Sequence, residues 1–359
     1  MPVLCRLADP DNYVACTWDL IADQRGRQYW LNHFATHSRT VLDLVRQRHG
    51  PGIEERIGQF EREFAELLAR MRQDPAGFGE LTILTLDEHR EEMLLRYGFE
   101  DPFAEVKRRE DDAAVVLYPR VIEELSRHEG TELIELLVRG IFAGNIFDLG
   151  SMATIETYNR QGLDFFGTRS SQPARPWAVD DFDALAGRFA GGQSPYRQAL
   201  FLVDNAGADL VLGCLPFARQ LGLWGTKVVL AANSRPSLND VTVPELERVI
   251  EQICGLDRDF ADLVKSGRLT VVASGGGAPL IDLSRVAHEC DAAAREADLL
   301  ILEGMGRSVE SNFEAVFDCD CLKIALLKDQ AVAERIGVKL FDVVCRFEPA
   351  RPRCGPARG

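Results

Sequence analysis

The chain has 359 residues, 46% of them hydrophobic, with 41 Lys and Arg against 56 Asp and Glu, a formal net charge of −15. This length and apolar content suffice for an ample core and favour two domains over one. The negative field opposes a nucleic-acid backbone or an anionic membrane surface, so partners are expected among small molecules or proteins, and a phosphate would have to be drawn in by local positive charge.

Helical periodicity dominates residues 1–140, expected to form an N-terminal helical domain. Within 52–73, Ile57, Phe60, Phe64, Leu67, Leu68 and Met71 recur at i, i+3, i+4, i+7 spacing with charged residues between them, the pattern of an amphipathic helix. Similar patterns predict helices over 28–48, 85–97 with Thr85 as N-cap, 102–110 and 121–127. Residues 131–148 read as an apolar helix that breaks at Gly144-Asn145, with Asn145 and Asp148 as polar groups at its end and Asn145 either a capping group or a site group. The polar stretch 168–183, with Pro173 and Pro176, reads as a loop or strap.

From there the pattern changes to βα alternation. Strands are expected at 199–203, 227–232, 269–273, 298–302, 323–327 and 339–344, with helices over 208–221, 244–253, 283–296 and 331–336. The expected fold is α/β: a Rossmann-like three-layer α/β/α domain over 141–348, preceded by the helical domain, with a disordered tail at 349–359.

Five of these apolar runs end in polar clusters: Asp204-Asn205, the stretch from Asn233 to Asp240, Ser274 to Gly277, Glu303-Gly304-Met305-Gly306-Arg307, and Lys328. The carboxyl ends of strands in an open parallel sheet share one edge, so the clusters are expected to converge on one crevice. Asp204, Asn205 and Asp240 offer the hard oxygen ligands that divalent cations prefer, and each is equally a good helix cap. The Glu303–Arg307 glycine turn allows close backbone approach to a phosphate, with Arg307 and Lys328 as its cations.

Competing motifs are missing. No G-x-G-x-x-G dinucleotide loop or G-x-S-x-G elbow is present, Ala206 stands where an Asp-x-Asp phosphatase needs its second aspartate, and His288 is the one histidine of six in the C-terminal half. The nine cysteines lack a CxxC pair and do not read as a disulfide framework; Cys319 and Cys321 read as reduced cysteines near a strand. No long apolar stretch or secretory leader stands out, so the cytoplasm is the expected compartment.

The segments 204–221, 228–242, 299–312 and 322–334 together resemble the metal-dependent damage-control phosphatase family, and the N-terminal segment around Cys16-Thr17-Trp18-Asp19 and residues 139–148 extend the likeness. The resembling branch includes plant stand-alone enzymes and the phosphatase domain fused to a pantothenate kinase paralogue. The resemblance implies a divalent cation, Mn, Co, Ni or Mg, held by Asp204, Asn205 and Asp240. It also implies phosphate contacts from Glu303, Gly304, Met305, Gly306, Arg307 and Lys328, with support from Asn145 and Asn233.

The implied substrates are 4′-phosphopantetheine and its oxidised or sulfonated forms. This chain departs from its relatives at Gly276-Gly277, where Asn-Asp is usual. The expected chemistry is attack of water on a phosphate monoester, with Asp204 as base or orienting group and Arg307 and Lys328 neutralising charge. The alternatives are a sugar-phosphate phosphatase, an S-adenosylmethionine-dependent carboxyl methyltransferase and a non-catalytic metabolite sensor.

Overall fold

The computed structural model describes residues 1–146 and 164–353. A seven-stranded sheet, in the order β1-β7-β6-β5-β2-β3-β4, comprises β1 (Val179–Asp180), β2 (Gln198–Leu202), β3 (Lys227–Ala232), β4 (Leu269–Ala273), β5 (Leu299–Glu303), β6 (Asp320–Leu326) and β7 (Val343–Glu348). Every neighbouring pair is parallel except β6 with β7. β2 and β5 are buried along their whole length, as strands covered on both faces must be. The chain winds outward in opposite directions from these two neighbours, so the switch point lies between them and opens a crevice beyond their carboxyl ends.

Alternate residues feed two cores. Phe201, Leu230 and Ile301 face a helical layer of α4 (Ala104–Leu125), α5 (Gly130–Ile146), α8 (Leu215–Leu223), α9 (Val243–Cys254) and α10 (Arg258–Lys265). Leu200, Leu202, Leu300 and Leu302 face α11 (His288–Glu296) together with Leu4 and Leu7. A third cluster joins α1 (Gln24–His49), α2 (Glu54–Gln73) and α3 (Ile83–Arg96) to Leu280, Val309 and Leu327, which follow β4, β5 and β6. The N-terminal helices therefore lie across the carboxyl edge of the sheet. Among the described residues no helix is long and apolar enough to cross a membrane.

Several elements differ from the sequence-based expectation. The two helices expected at 102–110 and 121–127 are one, α4, which carries Pro119 internally. Thr82, not Thr85, caps α3; Thr85 is the reciprocal partner three residues on. The helix α5 does not break at Gly144-Asn145 but runs to Ile146, and Asp148 lies outside the described residues.

The expected strap 168–183 contains the end of α6 (Phe165–Ser171), the strand β1 and the start of α7 (Phe182–Arg188), with Trp177 buried. The helix expected over 283–296 begins only at His288, because the preceding backbone bonds Pro2 and Leu4. The last strand starts at Val343: Gly337 and Phe341 adopt left-handed φ and make 337–342 a turn after α12 (Gln330–Arg335). Of the expected tail, Ala350 N–H bonds Asp320 and Arg351 N–H bonds the Phe317 carbonyl, while 354–359 lie outside the described residues.

Candidate active site

Two local devices build the crevice. The loop after β3 folds back against the end of β2: Val241 N–H donates to the Asp204 carbonyl at 2.9 Å, Ala206 N–H to the Asn239 carbonyl at 3.0 Å, and Asn205 pairs with Asp240 in an isolated antiparallel bridge. This fold-back, rather than helix capping, holds Asp204, Asn205 and Asp240 together; the helix after the loop is capped by Thr242 and Glu245. The second device is a π-helical turn after each central strand, at Asp209–Cys214 and at Met305–Glu310. Such turns are rare and recur at functional sites.

Arg307, on the second π turn and 1% exposed, reaches back across the switch point. Its guanidinium ion-pairs with Asp204 through Nη1 and with Asp240 through Nη2 at 2.9 Å, and donates to Asn233 Oδ1 at 3.0 Å. Asn233 in turn donates to the same Asp240 oxygen at 2.9 Å. Burial pushes the Arg307 pKa down to about 9, and the two carboxylates oppose that, so the group stays cationic at neutral pH.

Asn205 donates through Nδ2 to Asp204 and to Asp209, both at 2.9 Å, which leaves its amide oxygen as the donor for a cation. Gly304 must be glycine on two counts. Its φ is 91°, and a Cβ there would fall inside the Asp204 carboxylate.

A cavity of about 110 Å³ opens in front of these groups. Asp204, Asn205, Asp240, Met305, Gly306 and Lys328 line it from the sheet, while Trp30, His33, Phe34 and His37 of α1 and Asp87 and Arg90 of α3 close the other side. Lys328 sits where β6 ends, and its N–H donates to Met305 Sδ at 3.2 Å.

Not every expected site residue reaches this cavity: Asn233, Gly304 and Arg307 stand just behind its lining. Glu303 and Asn145 lie one layer behind it: Glu303 accepts from Asp204 N–H at 2.9 Å, and Asn145 donates to Asp209 at 2.5 Å and to Glu303 at 3.3 Å. Asn145 gets there because α5 passes the first π turn in backbone contact; a Cβ on Gly144 would lie 2.7 Å from Asp209 Cα. The Gly304 N–H is bonded to the Ile324 carbonyl, so it is no free phosphate donor. The Ser274–Gly277 loop does not join the crevice either: Gly275 N–H bonds Ser234 Oγ and Gly277 packs on Arg235, facing a separate hollow.

Sequence reasoning missed Asp209, Cys214, His33 and the Asp87–Arg90–Glu91 cluster. An aspartate inside the apolar run 208–221 was the available signal for the first, and the i, i+3, i+7 spacing of Trp30, His33 and His37 for the α1 wall. Asp209, Cys214 and Glu303 bring their ligating atoms within 4.8 Å of one another. Burial, then the charge of Asp209, pushes the Glu303 carboxyl far up, and burial does the same to the Cys214 thiol. That cluster lies behind the cavity, and a metal there would have to displace those protons from Glu303 and Cys214. The hard donors that face the cavity are Asp204, Asn205 and Asp240, and the Arg307 guanidinium already shows two of them gripping one cation.

A helical wall closes the carboxyl edge of a doubly wound α/β sheet over a crevice lined by acidic and basic groups, where sheets of this class hold their ligands. Residues 33–344 match the model of the damage-control phosphatase ARMT1-like domain, and the chain belongs to that family. It is 40% identical to Damage-control phosphatase At2g17340 of Arabidopsis thaliana, over 89% of this chain and 87% of that one.

It is 39% identical to Pantothenate kinase 2 of Arabidopsis thaliana over 96% of this chain, and 31% identical to the 4′-phosphopantetheine phosphatase of Mus musculus over 95%. The chain spans 41% of the former's length and 48% of the latter's. A crystal structure of a DUF89 family protein from Pyrococcus horikoshii shares the fold, with a TM-score of 0.63, 20% identity, and coverage of 90% of this chain and 98% of that one.

Proposed function

We propose that this protein is a divalent-metal-dependent phosphatase that hydrolyses a small phosphate monoester, 4′-phosphopantetheine or its oxidised derivatives. The observation that carries the reading is the convergence of Asp204 and Asp240, from two neighbouring β-to-α junctions, on the Arg307 guanidinium. Asp204, Asn205 and Asp240 would hold the metal, as Mn, Co, Ni or Mg. Bound there, it would polarise the phosphoryl oxygen and make water a better nucleophile.

The protein's own groups do the rest. Lys328, facing the cavity, and Arg307, released from its carboxylates, hold the phosphoryl oxygens and neutralise the charge that develops on them. Asp204 orients the attacking water and accepts its proton. Glu303 and Asn145 fix Asp204 and Asp209 from behind. The apolar side chains of Trp30, Phe34, Leu238 and Leu280 exclude water from the organic end of the ester. The substrate assignment is supported by the activity that the mouse relative is named for and by its likeness along nearly the whole of this chain.

The test is release of inorganic phosphate by the purified chain, with each metal in turn, from 4′-phosphopantetheine, its sulfonate and fructose 1-phosphate. Turnover of fructose 1-phosphate alone would replace the substrate assignment with the sugar-phosphate one. Asp204→Asn is expected to abolish release while leaving circular dichroism unchanged; full metal-dependent activity in that variant would remove Asp204 from the mechanism.

A further inference from the structure

Hydrolysis of an alkyl phosphate expels an alkoxide, a poor leaving group unless it is protonated as the P–O bond breaks, and a positioned general acid contributes roughly 10²–10⁴-fold. On the sheet side Glu310 also lines the cavity, but burial pushes its carboxyl so far up that it gives up a proton poorly. Asp204, Asn205 and Asp240 face the cation position, and Arg307 and Lys328 must keep their protons to hold negative charge. The opposite wall supplies a candidate in His33, which enters the cavity from α1.

Its ring is held edge-on to Trp30 with centroids 5.3 Å apart. Its Nδ1 lies 3.9 Å from Oδ2 of Asp329, the oxygen that also accepts from the Tyr29 hydroxyl at 2.6 Å. Asp329 is fixed because it caps α12 through the N–H groups of Ala331 and Val332. It also directly follows Lys328, so the imidazole and the phosphate cation are referenced to the same strand end.

We propose that His33 is the general acid of the reaction, its Nε2 donating a proton to the ester oxygen while Nδ1 faces Asp329. The inference rests on the phosphatase reading above. The electron pair of the breaking P–O bond stays on the ester oxygen, which takes the proton from Nε2. The water oxygen forms the new bond to phosphorus and gives its proton to Asp204. An alcohol and inorganic phosphate leave, and solvent then reprotonates His33 and deprotonates Asp204.

The charged groups around the imidazole are Asp329 and Lys328 at the strand end, Arg90 and Asp87 on α3, Glu310 on the π turn and His37 on α1 itself. Burial lowers the His33 pKa, Asp329 opposes this and Arg90 adds to it. The acid works below its pKa, so turnover of an alkyl ester falls as pH rises through that value.

The test uses the full chain with Mn²⁺, 4′-phosphopantetheine as the alkyl ester, and p-nitrophenyl phosphate, whose leaving group needs no proton. His33→Asn is expected to lower kcat about 10²-fold or more on the alkyl ester and by less than about tenfold on the aryl ester, and to abolish the alkaline limb for the former. Added imidazole should restore part of the loss. An equal loss on both esters, or none on the alkyl ester, overturns the assignment.

Should His33→Asn fold poorly, the wild type decides through a series of esters. A kcat nearly independent of the leaving group supports the acid, and a steep rise with better leaving groups refutes it. A wild type that releases phosphate from neither ester with any of the four metals brings down the phosphatase reading itself, so the two failures are distinct.

Discussion

Gly304 offers the sharpest test of how the acid pair is held. It has φ 91° and ψ 153°, a region closed to residues with a side chain at a cost of about 1–3 kcal/mol. Its missing Cβ makes room for the Asp204 carboxylate, and relieving that overlap in Gly304→Ala would cost roughly another 1–3 kcal/mol. The sum, about 2–6 kcal/mol, corresponds to a fall in Tm of roughly 3–8 °C for a cooperative unit of 359 residues.

The displaced carboxylate should also weaken binding of Mn²⁺. Thermal unfolding and a calorimetric Mn²⁺ titration measure both effects. Gly187→Ala is the control, since Gly187 lies in α7 with nothing within 4 Å of a built Cβ, and it is expected to be neutral or stabilising by up to about 1 kcal/mol. A Gly304→Ala protein that melts with the wild type and binds Mn²⁺ equally well would refute the claim that this glycine seats Asp204.

Cys214→Ala should leave the metal content per chain and the turnover unchanged, because the buried thiol keeps its proton, and it should lower stability by about 1 kcal/mol for the lost bond to Glu303; a lost equivalent of metal in elemental analysis would contradict this. Asp87 bears on pH. Burial, opposed by Arg90 and reinforced by Glu91, holds its carboxyl up at about 7 against an ordinary 3.8. The folded protein thus keeps a proton that the unfolded chain gives up above about pH 4, and this contribution to stability is lost as pH rises through about 7. Urea unfolding at pH 5 and pH 8 should show that loss in the wild type and a flatter profile in Asp87→Asn; an unchanged difference would rule Asp87 out as its source.

What the sequence could show of this site follows from the range of its signals. The strands β3 and β4 were legible to the residue, because strands of a parallel sheet read as unbroken apolar runs, and the polar residues that end them mark the crevice. Asp204, Asp240, Arg307 and Lys328 could be named on that basis alone. The layer behind them could not. Asn145 reaches Asp209 only because Gly144 lets two helical backbones touch, and Glu303 bonds an N–H 99 residues away in sequence, contacts that no local period records. Ser274 to Gly277 end a strand like the others, yet pairing of Gly275 with Ser234 turns that loop aside. The hydrophobic stripe of α1 concealed His33 for the opposite reason: a helix face that lines a cavity has the same spacing as one that fills a core.

The charge around the crevice explains why metal and phosphate should depend on each other. Asp204 and Asp240 face one guanidinium, so one negative charge remains at the position they share. A dianionic phosphate approaching that balance from the field of a −15 chain is repelled. A dication held by Asp204 and Asp240 would reverse the local sign and would free Arg307 to turn its donors outward. Metal and phosphate must then favour each other by the same factor, since coupling between two binding sites is reciprocal. Inorganic phosphate titrated by calorimetry should bind only with Mn²⁺ present, and saturating phosphate should tighten Mn²⁺ by the measured ratio. Phosphate binding of equal strength without metal would mean that Arg307 and Lys328 overcome both carboxylates unaided, and the acid pair would then need another purpose.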